Sequence, residues 1–151
     1  MEYLQSRLIR QIDAAAVQEL GMTGLLLMEN AALGLATVAR DMIADLRDPA
    51  VLVLAGPGNN GGDGFAMARH LVNDGYRVAI VAAATPENAP SDAGINFDIV
   101  RRMGVAIEAA EPSPHAAAKA AIARLGGGRV DLVIDALLGT CLLYTSPSPR
   151  D

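Results

Sequence analysis

The chain opens with two stretches whose apolar residues recur at helical spacing. In residues 6–20 this spacing places five apolar side chains on one side of a helix: Leu8, Ile9, Ile12, Ala16 and Leu20. Gly21 supplies a stop, because glycine is common just after the last helical residue. A second helix is predicted from about Thr23 to Leu46, with Thr23 as its N-terminal cap. Two helices therefore precede any strand.

From residue 50 the pattern changes to strands that alternate with helices. The run AVLVLAG (50–56) is continuously apolar, as expected of a strand buried on both faces. Further strands are predicted in YRVAIVAAA (76–84), VAIEA (105–109) and VDLVIDALLG (130–139). The helices between them are predicted in GDGFAMARHLVNDG (62–75), SDAGINFDIVRRMG (91–104) and SPHAAAKAAIARLGGG (113–128). This alternation predicts an α/β fold, in which a parallel sheet carries crossover helices on both faces.

Composition then narrows the class of protein. A chain of 151 residues that is 52% hydrophobic is about one domain and can bury a core. The net charge of −5 argues against an extended basic surface for nucleic acid. The apolar runs are too short to span a membrane, and the N-terminus lacks the layout of a secretory signal. The single cysteine, Cys141, cannot form an internal disulfide, so a cytoplasmic domain is expected.

The segment AGPGNNGGDG (55–64) follows the first predicted strand and is rich in glycine. Gly56, Gly58 and Gly61 satisfy the dinucleotide fingerprint G-x-G-x-x-G. A Walker A loop is excluded, because no Gly-Lys-Ser/Thr ends the segment. A conventional NAD-dependent oxidoreductase is disfavoured, because the second strand ends in alanines where an acidic residue should hold the ribose hydroxyls. Asp63 would also repel a pyrophosphate bound at the same amides.

Two interpretations of this segment remain. In the first, it is a strand-to-helix turn in which asparagine and glycine adopt positive φ angles. In the second, Gly61 and Gly62 let the backbone approach a ligand closely. Asn59 and Asn60 then offer amide groups whose oxygens suit a hard cation, and Asp63 accepts hydrogen bonds from hydroxyls. The second interpretation is favoured, because parallel sheets bind ligands at the carboxyl ends of their strands.

A second segment of interest is VIDALLGT (133–140), at the end of the fourth strand. Asp135 is predicted within a buried apolar strand, where a carboxylate needs either a structural partner or a role in chemistry. Gly139 and Thr140 begin a second loop of small residues at the same edge of the sheet. If the first and fourth strands are neighbours, Asp135 lies near the glycine-rich segment. His70 is interpreted as a surface residue.

Three stretches together resemble a known family. LLMENAA (26–32), GPGNNGGDGFAMARHL (56–71) and VDLVIDALLGT (130–140), in this order after two helices, resemble the YjeF N-terminal domain of the NAD(P)HX epimerase family. The resemblance implies a Rossmann-like three-layer α/β/α sandwich with a mainly parallel sheet. It also implies an isomerase of nicotinamide nucleotide repair. Such an epimerase interconverts the R and S hydrates of NADH and NADPH, called NADHX and NADPHX, which arise at C6 of the nicotinamide ring.

The resemblance further implies partners and site residues. A dehydratase specific for the S hydrate restores the cofactor and is fused to this domain in many bacteria, and a homodimer forms through the leading helices. The matching substrate-binding positions are Asn59, Asn60, Gly61, Gly62, Asp63, Gly139 and Thr140. The matching potassium ligands are Asn60 and Asp135. Inversion at C6 requires a general acid or base. Asp135 is the first candidate and Asp63 the second, unless Asp135 serves only as a cation ligand.

The resemblance breaks at Cys141, where the family has glycine, and the later Asp-x-Pro-Ser-Gly segment is missing. The final residues LLYTSPSPRD resemble translated sequencing-adapter sequence. We therefore expect residues 1–140 to be a partial domain that is incomplete at its C-terminus, residues 141–151 to be a non-native tail, and the fragment to be inactive or impaired. The alternative to an enzyme is a non-catalytic binding or dimerisation module, since related domains of this fold serve that role.

Overall fold

The computed structural model describes residues 6–84 and 91–139. Its leading helices are α1 (Ser6–Leu20) and α2 (Gly24–Ile43), as predicted, although α2 ends before Leu46. The Thr23 side chain caps α2 by accepting a hydrogen bond from the Leu26 amide at 3.2 Å. Gly21 has a φ of 69°, a left-handed conformation that favours glycine and ends α1. No helix among the described residues has the length and apolarity needed to cross a bilayer.

The rest of the described chain alternates between strand and helix. The elements are β1 (Ala50–Ala55), α3 (Asn59–Asn73), β2 (Arg77–Ala82), α4 (Asp92–Arg102), β3 (Ala106–Ala109), α5 (Pro114–Arg124) and β4 (Leu132–Ala136). Every strand pair is parallel, and the order across the sheet is β3-β2-β1-β4. The parallel α/β fold is confirmed, and so is the pairing of the first and fourth strands.

The sheet separates two apolar layers, because successive side chains of a strand point to opposite faces. Val51 and Val53 of β1 pack in a core that includes residues of α2, α3 and α4. Ala50 and Leu52 pack in a second core with α5. In the first core the rings of Phe65 and Phe97 meet edge to face, with their centroids 5.3 Å apart. These layers confirm the predicted α/β/α sandwich.

The strand order locates the cleft in which a ligand could bind. From β1 the chain builds β2 and β3 on one side, and it later returns to place β4 on the other side. Such a reversal opens a crevice at the carboxyl ends of the two strands between which it occurs. The glycine-rich segment follows β1, and residues 137–139 follow β4. Both segments predicted to form the site therefore border this crevice.

Candidate functional site

The glycine-rich segment is the beginning of a helix. α3 starts at Asn59, three residues before the predicted start at Gly62, and Gly58 is its N-terminal cap. The first backbone N–H groups of a helix have no acceptor within the helix, and Gly58 has no side chain that could accept from them. The first turn of α3 therefore presents unused N–H donors at the crevice, beside the amide side chains of Asn59 and Asn60.

The glycines of this segment allow close packing of the protein on itself. None of Gly56, Gly61 and Gly62 has a positive φ. At these glycines the segment therefore does not form the turn with positive φ angles that the first interpretation describes. A Cβ atom on Gly61 would overlap the carbonyl oxygen of Gly56, and one on Gly62 would lie 2.7 Å from Met28 Cε. Gly61 and Gly62 are buried and pack against protein. Their contact with a ligand stays a prediction.

The segment after β4 lies at the same edge of the sheet as the segment after β1, as the sequence predicted, and the two are joined by hydrogen bonds. Asn60 Nδ2 donates to the Leu138 carbonyl oxygen at 3.2 Å. The Gly56 amide donates to the Ala136 carbonyl oxygen at 3.0 Å. Gly139 lies beside Asn60, since a Cβ atom on Gly139 would be 3.6 Å from Asn60 Cβ. Thr140, the other predicted residue of the second loop, lies outside the described residues.

The predicted burial of Asp135 is wrong, because its side chain is exposed. In the sheet Asp135 pairs with Leu54, and Val133 pairs with Leu52, on the face that α5 covers elsewhere. α5 packs across β2 and β3, so within the described residues this face of β4 has no covering helix, and Val133 is 54% exposed. Asp135 Oδ1 accepts a hydrogen bond from the Leu137 amide at 3.0 Å.

Two adjoining pockets open at the crevice, and three residues border both: Asp13, Asn59 and Asp63. The outer pocket has a volume of about 560 Å³ and is otherwise lined by Pro57, Gly58, Asn60, Leu137, Leu138 and Gly139. The inner pocket has a volume of about 310 Å³ and is otherwise lined by Gly24, Leu27, Met28, Ala31 and Asp92. The crevice therefore has two compartments that meet at Asp63.

Asp63 carries the carboxyl group of the site whose pKa is shifted. Partial burial raises the pKa of Asp63 from 3.8 to about 6, because desolvation penalises the charged form. A carboxyl group with such a pKa can both hold and release a proton close to neutral pH. Asp63 borders both pockets, whereas Asp135 borders neither. Of the two predicted proton-transfer residues, Asp63 therefore borders the crevice in the described part of the chain and Asp135 does not, and the proton-transfer role of either stays a prediction.

Several residues of the site were not predicted from the sequence. Asp13 comes from α1, Met28 from α2 and Asp92 from the first turn of α4. Asp92 lies in the first turn of α4, the helix that follows β2, and parallel sheets bind ligands at the carboxyl ends of their strands. That rule could have singled out Asp92. The amphipathic pattern of α1 contains no comparable signal for Asp13.

His70, which the sequence analysis interprets as a surface residue, is partly buried. Its side chain is only 18% exposed, and Nε2 lies 2.9 Å from Glu29 Oε1. Arg69 forms an ion pair with the other oxygen of the same carboxylate. Glu29, which interrupts the apolar pattern of α2, thus joins α2 to α3 through two consecutive residues. This contact holds the helix that carries the first turn of the site.

Comparisons with known proteins identify relatives of this chain. A family model described as YjeF-related protein N-terminus matches residues 24–149. The bifunctional NAD(P)H-hydrate repair enzyme Nnr of Salinibacter ruber is 40% identical over 136 residues, which cover 86% of this chain and 24% of that protein. The NAD(P)H-hydrate epimerase of Rhodopirellula baltica is 38% identical over 132 residues, which cover 87% of this chain and 50% of that protein.

A solved structure shows the same fold. The crystal structure of yeast ynu0 (YNL200c) matches with a TM-score of 0.78 at 25% identity, over 99% of this chain and 61% of that one. The chain thus spans about a quarter of the bifunctional relative and half of the epimerase. The family model covers well over half of the chain, and the segments after β1 and β4 that lie within this match border the crevice. The fold of the chain also matches that of the solved structure. The chain belongs to the family of YjeF-related protein N-termini.

Proposed function

We propose that this chain is an NAD(P)HX epimerase domain, an isomerase that interconverts the R and S hydrates of NADH and NADPH. The observation that carries the proposal is the joining of the first turn of α3 to the segment after β4 through Asn60. This contact places amide groups, unused backbone donors and the Asp63 carboxyl around one crevice. The relatives named NAD(P)H-hydrate epimerase support the same reaction.

The proposed chemistry needs a proton carrier. Inversion at C6 proceeds either by loss and return of water or by reversible ring opening, and both routes move a proton at the hydrate oxygen. Asp63 suits this role because its pKa of about 6 lets it give and take a proton near neutrality. Asn59, Asn60 and the buried Gly61 and Gly62 form the first turn beside which the substrate would bind. Gly139 completes the opposite wall.

A coupled assay tests the proposal. Purified R-NADHX is mixed with the chain and with a dehydratase that accepts only the S hydrate, and recovery of NADH is followed by absorbance. We expect recovery to be faster than the spontaneous rate, because an epimerase supplies the S hydrate that the dehydratase consumes. Recovery at the spontaneous rate, with no binding of either hydrate, would exclude the assignment.

Potassium is the proposed cofactor, with Asn60 and Asp135 among its ligands. Both residues bond to the same short segment, through the Leu138 carbonyl and the Leu137 amide respectively. Amide and carboxylate oxygens suit a hard cation. Among the described residues no group of three or more His, Cys, Asp or Glu side chains could hold a metal ion, which disfavours a transition-metal centre there. A bound potassium ion would balance the carboxylate charge and hold the segment after β4.

We expect epimerisation in potassium chloride to be several-fold faster than in choline chloride at the same ionic strength. The reason is that the cation holds the segment which forms one wall of the outer pocket. An Asn60→Ala variant should lose most of this dependence, because it removes one ligand oxygen. Steady-state rates in the two salts provide the measurement. Equal rates in both salts for the unmodified chain would contradict the proposed cofactor.

A homodimer through the leading helices is the proposed assembly. Apolar side chains of α1 and of the outer face of α2 are exposed in the single chain: Leu8, Ile9, Ile12, Val17, Leu20, Leu26, Leu33, Leu35, Val38 and Met42. Monomeric proteins rarely expose contiguous apolar patches of more than a few hundred Å². A second copy that packs against these helices would remove this surface from water.

We expect the chain to elute with twice its monomer mass in size-exclusion chromatography with light scattering. Val38→Asp should shift it to the monomer, because Val38 is 57% exposed on α2 and a buried unpaired charge would oppose association. Ala123→Asp, at an exposed position of α5, is the matched control and should remain dimeric. A monomer mass for the unmodified chain at all concentrations tested would rule out this assembly.

The remaining proposals concern the partner enzyme, the cellular compartment and the domain boundaries. An NAD(P)HX dehydratase, fused or separate, would be the partner enzyme, in keeping with the bifunctional name of the Salinibacter relative. The cytoplasm is the proposed compartment, and neither nucleic acid nor membrane is a proposed partner. We also propose that residues 1–140 are a partial domain and that residues 141–151 are a non-native tail. Resequencing the source locus through codon 141 tests this division.

A further inference from the structure

A further pocket lies at the edge of the sheet opposite the crevice, where β1, β2 and β4 begin, and is called here the amino-edge pocket. Its volume is about 310 Å³, at the lower end of the range for small-ligand sites. The fold brings charged side chains from three distant segments to its walls: Arg47, Asp48, Arg77, Arg129 and Asp131. Three arginines and two carboxylates therefore meet in one concave site.

Arg77 holds two walls of the amino-edge pocket together. Its Nε donates to the Asp48 carboxylate at 3.1 Å, and its Nη2 donates to the Asp48 carbonyl oxygen at 2.7 Å. Its Nη1 donates to the Leu125 carbonyl oxygen, just after α5. Asp48 has a φ of 53°, which is uncommon for a residue other than glycine. Arg77 thus joins the segment before β1 to the end of α5, and Asp48 balances its charge.

Asp131 is the other carboxylate of the pocket, and both of its oxygens have partners. Oδ2 accepts from the Ala50 amide at 2.9 Å, and Oδ1 pairs with Arg129 Nε. The Asp131 side chain is only 6% exposed, whereas that of Arg129 is 71% exposed. The terminal nitrogens of the Arg129 guanidinium carry four more N–H donors, and these have no acceptor among the described residues.

Arg47 adds a positive charge that no carboxylate of the pocket balances. Each of the two carboxylates is already paired with another arginine, and no ion pair of Arg47 occurs within residues 6–84 and 91–139. Backbone donors are also present, since the N–H groups of Gly128 and Asp48 have no backbone acceptor in the described part of the chain. The pocket is therefore locally positive, although the net charge of the chain is −5.

We propose that the amino-edge pocket binds the phosphate group of a small phosphorylated molecule, with Arg47 and Arg129 as its ligands. Guanidinium groups bind phosphate oxygens through paired N–H donors. A phosphate monoester has three terminal oxygens, so two arginines from different segments can serve different oxygens of the same group. The pocket has the volume of roughly ten water molecules, which leaves room for a small organic part beside the phosphate.

The amino-edge pocket is independent of the function proposed for the crevice. The Ala50 amide, at the start of β1, bonds to Asp131 of this pocket, and Gly56 follows β1 at the crevice. A strand of six residues separates the two places by about 20 Å. A small ligand cannot reach both, so a phosphate bound here is additional to any phosphate of a substrate in the crevice.

NMR of the 151-residue chain tests the site. Ribose 5-phosphate, inorganic phosphate and ribose are titrated separately at constant ionic strength. We expect ribose 5-phosphate to shift the Gly128 amide and the Nε–H signals of Arg47 and Arg129 to saturation. Inorganic phosphate should shift the same signals with several-fold weaker affinity, because it lacks the sugar, and ribose should shift none of them. The amides of Gly61 and Gly62 in the first turn of α3 report separately on the crevice.

A variant tests the contribution of Arg47. Arg47→Gln should weaken binding of ribose 5-phosphate roughly tenfold, because hydrogen bonds from a charged donor are lost. Its Tm should be unchanged, since Arg47 is exposed. Arg101→Gln removes the same charge from an exposed residue of α4 that pairs with Asp98, and this control should bind normally. Titration calorimetry gives the affinities. An unchanged affinity of Arg47→Gln, or an equal loss in both variants, would contradict the assignment.

Three results of the NMR titrations would also overturn the proposal. Without a saturable shift at Gly128 and the arginines, the amino-edge pocket binds no phosphate. Shifts confined to Gly61 and Gly62 would place the anion in the crevice. Equal affinity for inorganic phosphate and ribose 5-phosphate would show that the pocket takes the bare anion and does not recognise a phosphorylated molecule. None of these results bears on the epimerase assay, so the two proposals stand or fall separately.

Discussion

Replacing Asp63 with asparagine is expected to lower the rate of epimerisation by about 10²–10⁴-fold, the usual contribution of a general acid or base. Asp63 is the described carboxyl group whose pKa is raised, to about 6, and it borders both pockets of the crevice. Asparagine keeps the size of the side chain but cannot exchange a proton. The coupled assay with R-NADHX gives the rate, and calorimetry shows whether the substrate still binds.

The Asp63→Asn variant is also expected to differ from the unmodified chain in how its stability depends on pH. The folded chain binds a proton at Asp63 more tightly than the unfolded chain does, because burial raises the pKa from 3.8 to about 6. As the pH rises from 3.8 to about 6, ionisation of Asp63 therefore lowers the free energy of unfolding of the chain. Above this range the loss stays constant. Relative to the unmodified chain, Asp63→Asn should gain stability between pH 4 and 6 and keep that gain at higher pH. Thermal unfolding across this range measures the difference.

Asp98→Asn is the control for both readouts, because Asp98 is an exposed residue of α4 that pairs with Arg101. Its rate should match that of the unmodified chain, and its pH profile should run parallel. If Asp63→Asn retained the full rate with normal binding, proton transfer at Asp63 would be excluded, and Asp135 would become the candidate again.

Replacing Gly61 with alanine is expected to destabilise the fold by about 3 kcal/mol or more, at the upper end of the range for overpacking a core. The added Cβ would overlap the carbonyl oxygen of Gly56. That carbonyl cannot move away freely, because the Gly56 amide is bonded to Ala136 and the Gly56 Cα packs against the Leu137 carbonyl. For a chain of this length the change corresponds to a fall in Tm of roughly 10 °C.

Gly34→Ala is the matched control, because Gly34 also lies inside a helix but has no atom within 4 Å of an added Cβ. Alanine there should raise stability by about 0.5–1 kcal/mol, through its higher helix propensity. Calorimetric unfolding of the two variants gives the comparison. A Gly61→Ala variant as stable as Gly34→Ala would show that close packing is not the reason for glycine at this position.

The order of the elements could be predicted because local signals decide it. Thr23 caps α2 as predicted, and Gly75 and Gly104 follow α3 and α4 with φ angles of 89° and 77°. Each of these signals acts over a few residues, so the neighbouring sequence is sufficient to identify it. The parallel pairing of the strands follows from their alternation with helices. The fold class is therefore predictable from the pattern of apolar positions.

The details of the site depend on contacts between distant segments, and these were harder to predict. The helical start at Asn59 was missed because two glycines in its first turns have low helix propensity, and tertiary packing against Gly56 and Met28 overrides that preference. The exposure of Asp135 was missed because an apolar strand predicts burial on both faces, but not which face lacks a helix. Asp13 and Asp92 reach the crevice from α1 and α4, and no short motif joins them.

Among the described residues one face of β4 is uncovered, and this face links the proposed cation to the folding of the chain. Any layer that covers Val133 and Asp135 would move a carboxylate from water into the interior, where an unpaired charge is unfavourable. A potassium ion at Asp135 would supply the opposite charge. Cation binding and the covering of that face are then thermodynamically coupled, and each favours the other. The stability of a fold in which this face is covered would rise with the logarithm of potassium concentration once the ion exceeds its dissociation constant.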